Sequence, residues 1–470
     1  MIFSSVFFLF VFLPVTLILY FIVPWKFKNL LLLLVSLIFY AWGEPIYVFL
    51  MLFSIIFNYF GGLQIDSLKQ SGDTKKLKFS FLFTLIVNLA ILGFFKYYGF
   101  VLDSLNSILP FDIPYKELAL PIGISFYTFQ TLSYIIDVYR GTAEVQKNFV
   151  SFGTYVTMFP QLIAGPIVRY QDIDKQLRKR TISMYKFGQG MAWFLRGLGK
   201  KVLLANNIGM MFDSIHAMGA DERSVLTAWL GCLAYTMQIY FDFSGYSDMA
   251  IGLGKMFGFE FMLNFNYPYI SKSLTEFWRR WHISLGTWFR EYVYIPLGGN
   301  RVSAAKHIRN IMVVWMLTGL WHGAAWNFVF WGLYHGIVQL IEKKVLNNVL
   351  EKLPNFVQIL YTFIIVMIGW VMFFCTSLKD LGVYLGNMIG IGGHGFIDST
   401  GLYYLFTNLI LIVICFIACG PTAWKKIQKC ALKAGKARQV VATVAYIAIF
   451  ILSLAYLVNA TYNPFLYFRF

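Results

Sequence analysis

Apolar runs of membrane-spanning character recur along the whole of this 470-residue chain, at residues 4–23, 79–95, 225–237, 356–374, 402–419 and 440–458. A run of this kind is predicted to cross a bilayer as a helix, because a helix satisfies its own backbone inside lipid. Hydrophobic residues make up 59% of the chain and charged residues only 13%, too few to cover the surface of a soluble protein of this length. No polar stretch is long enough to fold alone. The fold expected is therefore an all-α polytopic membrane protein, one integral membrane domain over residues 1–470. The first run lacks a basic leader and a small-x-small cleavage site, so it is expected to be a transmembrane helix and not a signal peptide.

The net charge of +17 sits in short loops between apolar runs, which is the positive-inside bias of membrane proteins. Nucleic-acid binding would need those charges on a soluble face, and no such partner is expected. Loop charge also orients the chain. Lys26, Lys28, Lys69, Lys75, Lys76, Lys78 and the basic stretch 169–186 are expected inside, with both termini outside. The segment 149–168 would enter and leave on one side, broken at Pro160, Gly165 and Pro166. Residues 184–211 read as helical, crossing or lying at the interface. Five cysteines (Cys232, Cys375, Cys415, Cys419, Cys430) show no metal-ligand spacing and are expected to be packing residues.

Residues 311–341 carry basic groups at both ends, Arg309 before and Lys343 and Lys344 after, with Gly319 and Gly323 between them. Two half-length pieces meeting near the bilayer midplane are expected there. His322 then lies roughly 18 Å from the basic boundary at Arg309. An ionisable group at that depth is a functional candidate. Glycines allow close approach, Trp321 and Trp326 supply apolar walls, and desolvation favours the neutral imidazole that a general base needs. The structural alternative is a histidine bonded to a neighbouring helix.

His282 lies in Phe277-Trp278-Arg279-Arg280-Trp281-His282-Ile283-Ser284. Trp278, Trp281, Leu285 and Trp288 are spaced as one apolar helical stripe, with Arg279 and His282 on the adjoining face. A helix flat in the interface is one reading. Another is that Arg279, Arg280 and Arg290 draw in an anionic acyl donor; lipid headgroups would satisfy the same arginines. Asp242 and Asp248 lie inside an apolar stretch and each needs a partner; pairing with those arginines is expected, ahead of direct catalysis. His335 reads as a hydrogen-bonded packing residue, and His216, His307 and His394 as loop residues. Gly197-Leu198-Gly199-Lys200-Lys201 lacks the spacing and the Ser/Thr of a phosphate loop. No Ser–His–Asp arrangement is legible. The tail, residues 461–470, ends in aromatics suited to an interface, yet Tyr467 is also a hydroxyl able to carry an ester.

In this order, several segments resemble the bacterial membrane-bound O-acyltransferase family. They are Phe3-Ser4-Ser5 with residues 10–14, Leu120-Pro121-Ile122-Gly123-Ile124-Ser125-Phe126, residues 159–166, 241–248, 277–284 and 294–301, Gly319-Leu320-Trp321-His322-Gly323 and Tyr467-Phe468-Arg469-Phe470. The likeness covers almost the whole chain and is nearest to bacterial polysaccharide O-acetylases. It implies a ring of about 11–12 transmembrane helices with re-entrant and interfacial helices. It implies His322 as the catalytic histidine, His282 as a second catalytic or positioning histidine, and Trp321 near the donor. It also implies acetyl-CoA as co-substrate with no bound cofactor or metal, and an extracytoplasmic SGNH-type or related partner protein. An exported polysaccharide is the implied acceptor, with Tyr467 as a first acyl carrier. D-alanyl transfer to teichoic acid is the rival within the family, and a polysaccharide or lipid transporter the rival outside it.

Overall fold

The computed structural model describes residues 1–392, 395–422, 425–426, 437–459, 462–464 and 466. His394, Cys430 and Tyr467 lie outside the described residues. Every regular element among the described residues is helical. Contacts divide the chain into two units, residues 1–194 with 248–262, and residues 195–247 with 263–470.

The first unit contains α1 (Leu13–Ile22), α2 (Lys28–Ala41), α3 (Val48–Ser71), α4 (Thr74–Asn106), α5 (Ile124–Arg140), α6 (Phe149–Thr157), α7 (Phe159–Leu162) and α8 (Tyr170–Arg178). Helix α4 shows what solvent this fold is built for. Its buried residues are Ser80, Thr84, Asn88, Leu92 and Lys96, one every fourth position and mostly polar. Phe79, Phe83, Ile86 and Leu89 point outward. That is the inverse of a soluble amphipathic helix and suits a lipid surround. The buried stripe is satisfied sideways. Asn58 of α3 and Asn88 exchange amide hydrogen bonds at 2.9 and 2.8 Å, Thr131 of α5 donates to Asn88 Oδ1, and Lys96 donates to Ser125.

The break expected in residues 149–168 is present. Helix α6 stops at Met158, whose backbone leaves the helical region, and α7 restarts with Pro160 in its first turn. Freed backbone groups find local partners: Ser36 Oγ accepts from Phe159 N–H, and Gln161 Nε2 donates to Tyr155 O.

The division between units runs through α9 (Met184–Gly199) and α11 (Val225–Met256). Residues 184–216 are helical throughout: α9, a π-helical stretch Lys200–Ala205, and α10 (Asn206–His216). The second unit also holds α12 (Leu274–Arg280), α13 (Ile283–Phe289), α14 (Ala304–His322), α15 (Trp326–Ile341), α16 (Asn347–Leu350), α17 (Asn355–Phe374), α18 (Leu378–Met388), α19 (Ser399–Thr407), α20 (Leu409–Ala418) and a last helix, Ala437–Asn459.

Among the described residues, α3, α4, α17 and residues 439–459 are each long and apolar enough to cross a membrane. The run expected at 402–419 is not one helix: α19 and α20 meet at a 57° bend, and as a bent pair they make a fifth candidate span. The bend falls at Asn408, whose amide turns back to Tyr404 O. Cys232, Cys375, Cys415 and Cys419 are buried free thiols, as their apolar settings implied. Neither His216 nor His307 is a loop residue: His216 is the last residue of α10, and His307 lies in the first turn of α14.

Candidate active site

Helices α14 and α15 form an antiparallel pair whose backbones nearly touch. A Cβ on Gly319 would stand 2.3 Å from Phe328 O, and one on Gly332 2.4 Å from Trp315 O. Gly336 abuts Met312 and Trp315 one turn farther along. Gly332 and Gly336, spaced four apart on α15, and Gly319 on α14 permit this contact. The pieces are longer than the half-helices expected. Helix α14 has 19 residues, about 28 Å at the helical rise and nearly a full hydrocarbon core. The reason is that the glycines lie at the seam of two helices rather than in a kink within one.

The chain turns at Gly323, Ala324 and Ala325. Gly323 is extended, and its lack of a side chain matters sterically: a Cβ would sit 2.1 Å from the Phe328 ring. His322 is the last residue of α14 and therefore occupies the tip of this pair. It is 5% exposed. Its ring packs edge-on against Trp321, Trp331 and Phe373, with centroids 5.1, 5.1 and 5.2 Å away. Phe373 comes from the end of α17, where Asn327 Nδ2 donates to Cys375 O and ties α17 to the first turn of α15.

His282 reaches the same cluster from another direction. The single interfacial helix expected over residues 277–288 does not form. Helix α12 ends at Arg280, His282 takes the left-handed conformation (φ 45°), and α13 begins at Ile283. A non-glycine residue held there costs about 1–3 kcal/mol and needs support from its surroundings. Residues 264–266 supply it. Asn266 N–H donates to Arg280 O, Ile283 N–H donates to Asn264 O, and Asn264 Oδ1 accepts from both the N–H and the hydroxyl of Ser284. Because Ser284 N–H requires an acceptor, that atom of Asn264 is oxygen. His282 Nδ1, 3.2 Å from it, is then the donor, and in the neutral ring Nε2 carries the lone pair. The kink turns His282 inward to 2% exposure while Arg279 stays exposed, so the shared face read from helical spacing is absent.

Trp321 joins the two histidines. Its ring centroid is 5.1 Å from that of His322 and 5.8 Å from that of His282. Phe243 of α11 closes the far side of His282 at 4.7 Å. Behind His322, His335 packs among Trp278, Trp315 and Trp331 at 4.9, 5.4 and 4.8 Å. The aromatic packing expected of it is present, but its Nδ1 has no hydrogen-bond partner among the described residues, where a hydrogen-bonded ring was expected. The tryptophans of the 277–288 segment are thus interior walls rather than lipid anchors.

The remaining predicted residues divide. Arg280 pairs with Glu276 and Arg290 with Glu291, at 2.8 and 2.7 Å. Asp248 is buried on α11. Asp242 does not pair with an arginine of residues 277–290. Lys201 is its partner at 2.6 Å, both side chains being 3% exposed. Sequence reading set Lys201 aside with a failed phosphate-loop motif, and nothing local marks a lysine as the partner of an acid 41 positions away. Asn264 and Phe373 were also missed; only the tertiary fold brings them to the histidines.

Comparison with known proteins bears on this geometry. The profile of MBOAT, the membrane-bound O-acyltransferase family, matches residues 141–381, a stretch that contains both histidines. A probable alginate O-acetylase AlgI of Azotobacter vinelandii is 46% identical over 384 residues, 80% of this chain and 76% of the relative. The probable alginate O-acetylase AlgI of Pseudomonas putida is 40% identical and aligns over the full length of both chains. A peptidoglycan O-acetyltransferase of Helicobacter pylori is 36% identical over 84% of this chain and 80% of its own. The chain therefore belongs to the membrane-bound O-acyltransferase family, and is an integral membrane acyltransferase.

Proposed function

We propose that this enzyme moves acetyl groups from cytosolic acetyl-CoA to an exported cell-surface polysaccharide, with His322 as general base. The observation that carries the reading is a buried imidazole at the tip of a tight helix pair, walled by Trp321, Trp331 and Phe373 and linked through Trp321 to an oriented His282. The likeness to alginate and peptidoglycan O-acetylating proteins supports acetate as the group and a polysaccharide as the destination.

In this reading the thioester lies against Trp321. A ring nitrogen of His322 takes the proton of an acceptor hydroxyl as its oxygen attacks the thioester carbonyl. The tetrahedral intermediate expels the coenzyme A thiolate, which recovers the proton from His322. His282, held by Asn264, presents Nε2 to the same space and positions the acyl group. General-base assistance of this kind contributes about 10²–10⁴-fold. Arg279, Arg280 and Arg290 are the proposed contacts for the anionic donor, drawn in from the cytosolic side. Tyr467 is the proposed first acceptor, passing the acetyl group to an extracytoplasmic SGNH-type or related partner protein. The relay requires the tail to lie on the outer face, as the loop charges lead one to expect.

The test is to express the wild-type protein and His322→Ala and to measure ester-linked acetate and D-alanine on the cell-surface polymer. Acetate should fall to background in the variant. Unchanged acetate refutes the reading, and a selective loss of D-alanine replaces it with D-alanyl transfer. Mass spectrometry of the tail for O-acetylated Tyr467 tests the relay separately.

A further inference from the structure

The second unit contains a buried ion pair that the acyl-transfer chemistry does not use. Lys201, in the π-helical stretch Lys200–Ala205, faces Asp242 on α11. Two charges so deeply buried need further hydrogen bonds to offset the loss of water. Here those bonds go to the C-terminal segment. Lys201 Nζ donates to the main-chain carbonyl of Pro464, and Asp242 Oδ2 accepts the main-chain N–H of Leu466 at 2.9 Å. The pair thus grips the backbone on both sides of position 465.

Neighbouring contacts extend the grip. Lys201 also donates to Asn206 Oδ1 at 2.8 Å, and Asn206 Nδ2 donates to Asn463 Oδ1. The Tyr462 hydroxyl donates to Asp213 at 2.5 Å and accepts from Gln238 Nε2 at 3.4 Å. Gly209 makes room, since a Cβ there would stand 3.0 Å from the Tyr462 hydroxyl. Leu466 is 7% exposed. Main-chain recognition fixes where the segment lies along its length, whatever side chains it carries.

The socket and the histidine cluster share a helix, α11. Asp242 and Phe243 are successive residues of α11; the first holds the tail and the second closes the ring of His282. We propose that the Lys201–Asp242 pair is a positioning clamp, which docks the C-terminal segment beside the acyl-transfer site so that transfer depends on the docked tail. This rests on the acetyl-transfer reading for its catalytic half, whereas docking itself does not. Lys201 and Asp242 are positioning residues, acting through the tail.

The experiment uses the full chain, purified in detergent, with Leu466→Cys as a reporter in a Cys430→Ser background. Maleimide labelling at 466 should be slow when the pair is intact. It should quicken at least about tenfold in Asp242→Asn, where an uncompensated lysine is left buried. The double variant Lys201→Met/Asp242→Leu removes both charges and keeps the interior filled, so that loss of docking is separated from loss of fold. It should remain monodisperse, label fast, and lose acetyl transfer through kcat with the KM for acetyl-CoA held. His322→Ala should lose transfer and still label slowly. Labelling at 466 that is unchanged in both pair variants overturns the clamp. So does fast labelling with transfer at the wild-type rate. If the parent protein transfers no acetate at all, the acetyl-transfer reading fails, and the labelling rates still decide the docking.

Discussion

Polar groups are buried in both units, and one site in each shows a different setting. In the first unit, the α3–α4–α5 stripe pairs amide with amide: Asn58 and Asn88 satisfy each other, and Thr131 adds a third bond. In the second, the ring of His322 is surrounded by Trp321, Trp331 and Phe373. The first arrangement is complementary within the protein and holds helices together in a medium that offers no water. The second packs an imidazole among aromatic rings, the setting on which the proposed proton transfer rests. Burial of a polar residue in a membrane protein is therefore a weak functional signal until its surroundings are known.

The largest effect that sharpens this contrast is at His322. His322→Ala should reduce acetyl transfer by about 10²–10⁴-fold with little change in thermal stability. Comparable losses in both activity and stability would make it a structural histidine.

Gly332→Ala comes next. Its Cβ would meet Trp315 O at 2.4 Å, and backbone atoms yield poorly. Forcing α14 and α15 apart should cost about 1–3 kcal/mol of stability and displace the tip that carries His322, with transfer falling at least about tenfold. Thermal unfolding and initial rates measure the two parts.

Asn88→Leu should do the reverse, lowering stability by about 1–2 kcal/mol while activity per folded molecule is retained. The double change Asn58→Leu/Asn88→Leu should recover part of the loss, because neither amide is then left facing a hydrocarbon. A double variant no better than the worse single would break the account of a mutually satisfied pair.

The smallest effect is a pH dependence at the surface. Burial opposes ionisation of Asp398, but hydrogen bonds from Ser224, Thr227 and Gly401 N–H outweigh it and hold the carboxyl below its ordinary range. A depressed folded value means that the stabilisation is fully present above the unfolded value, about 3.9, and is lost as pH falls through the folded one. Asp398→Asn should flatten the acid limb of the stability curve by a small amount, measured by unfolding between pH 5 and about 3.

The extent to which the site could be read from sequence follows the range of the interactions. The apolar runs, the break near Pro160 and the candidacy of His322 depend on composition and on glycines within a few positions, and these are local. The stripe over residues 277–288 misled, because periodicity assumes a continuous helix and His282 breaks it with a left-handed turn supported by Asn264. Nothing in the spacing of tryptophans reports a bond made 18 to 20 residues upstream. The same holds for Asp242. Its need for a partner was evident from its depth, but the partner is Lys201, supplied by a different helix.

By itself the sequence determined that this chain lives in a membrane as helices, since runs of apolar residues leave no other way to satisfy the backbone in lipid. It also marked His322 by depth and flanking glycines, and the ordered motifs identified the family. Only the tertiary structure decided that the glycines of residues 319–336 form the seam of a helix pair, that Trp321 lies between two histidines, and that a buried lysine and aspartate grip the tail. Each of these depends on groups far apart in sequence meeting at a few ångströms, and such meetings are set by packing, on which local residue order is silent.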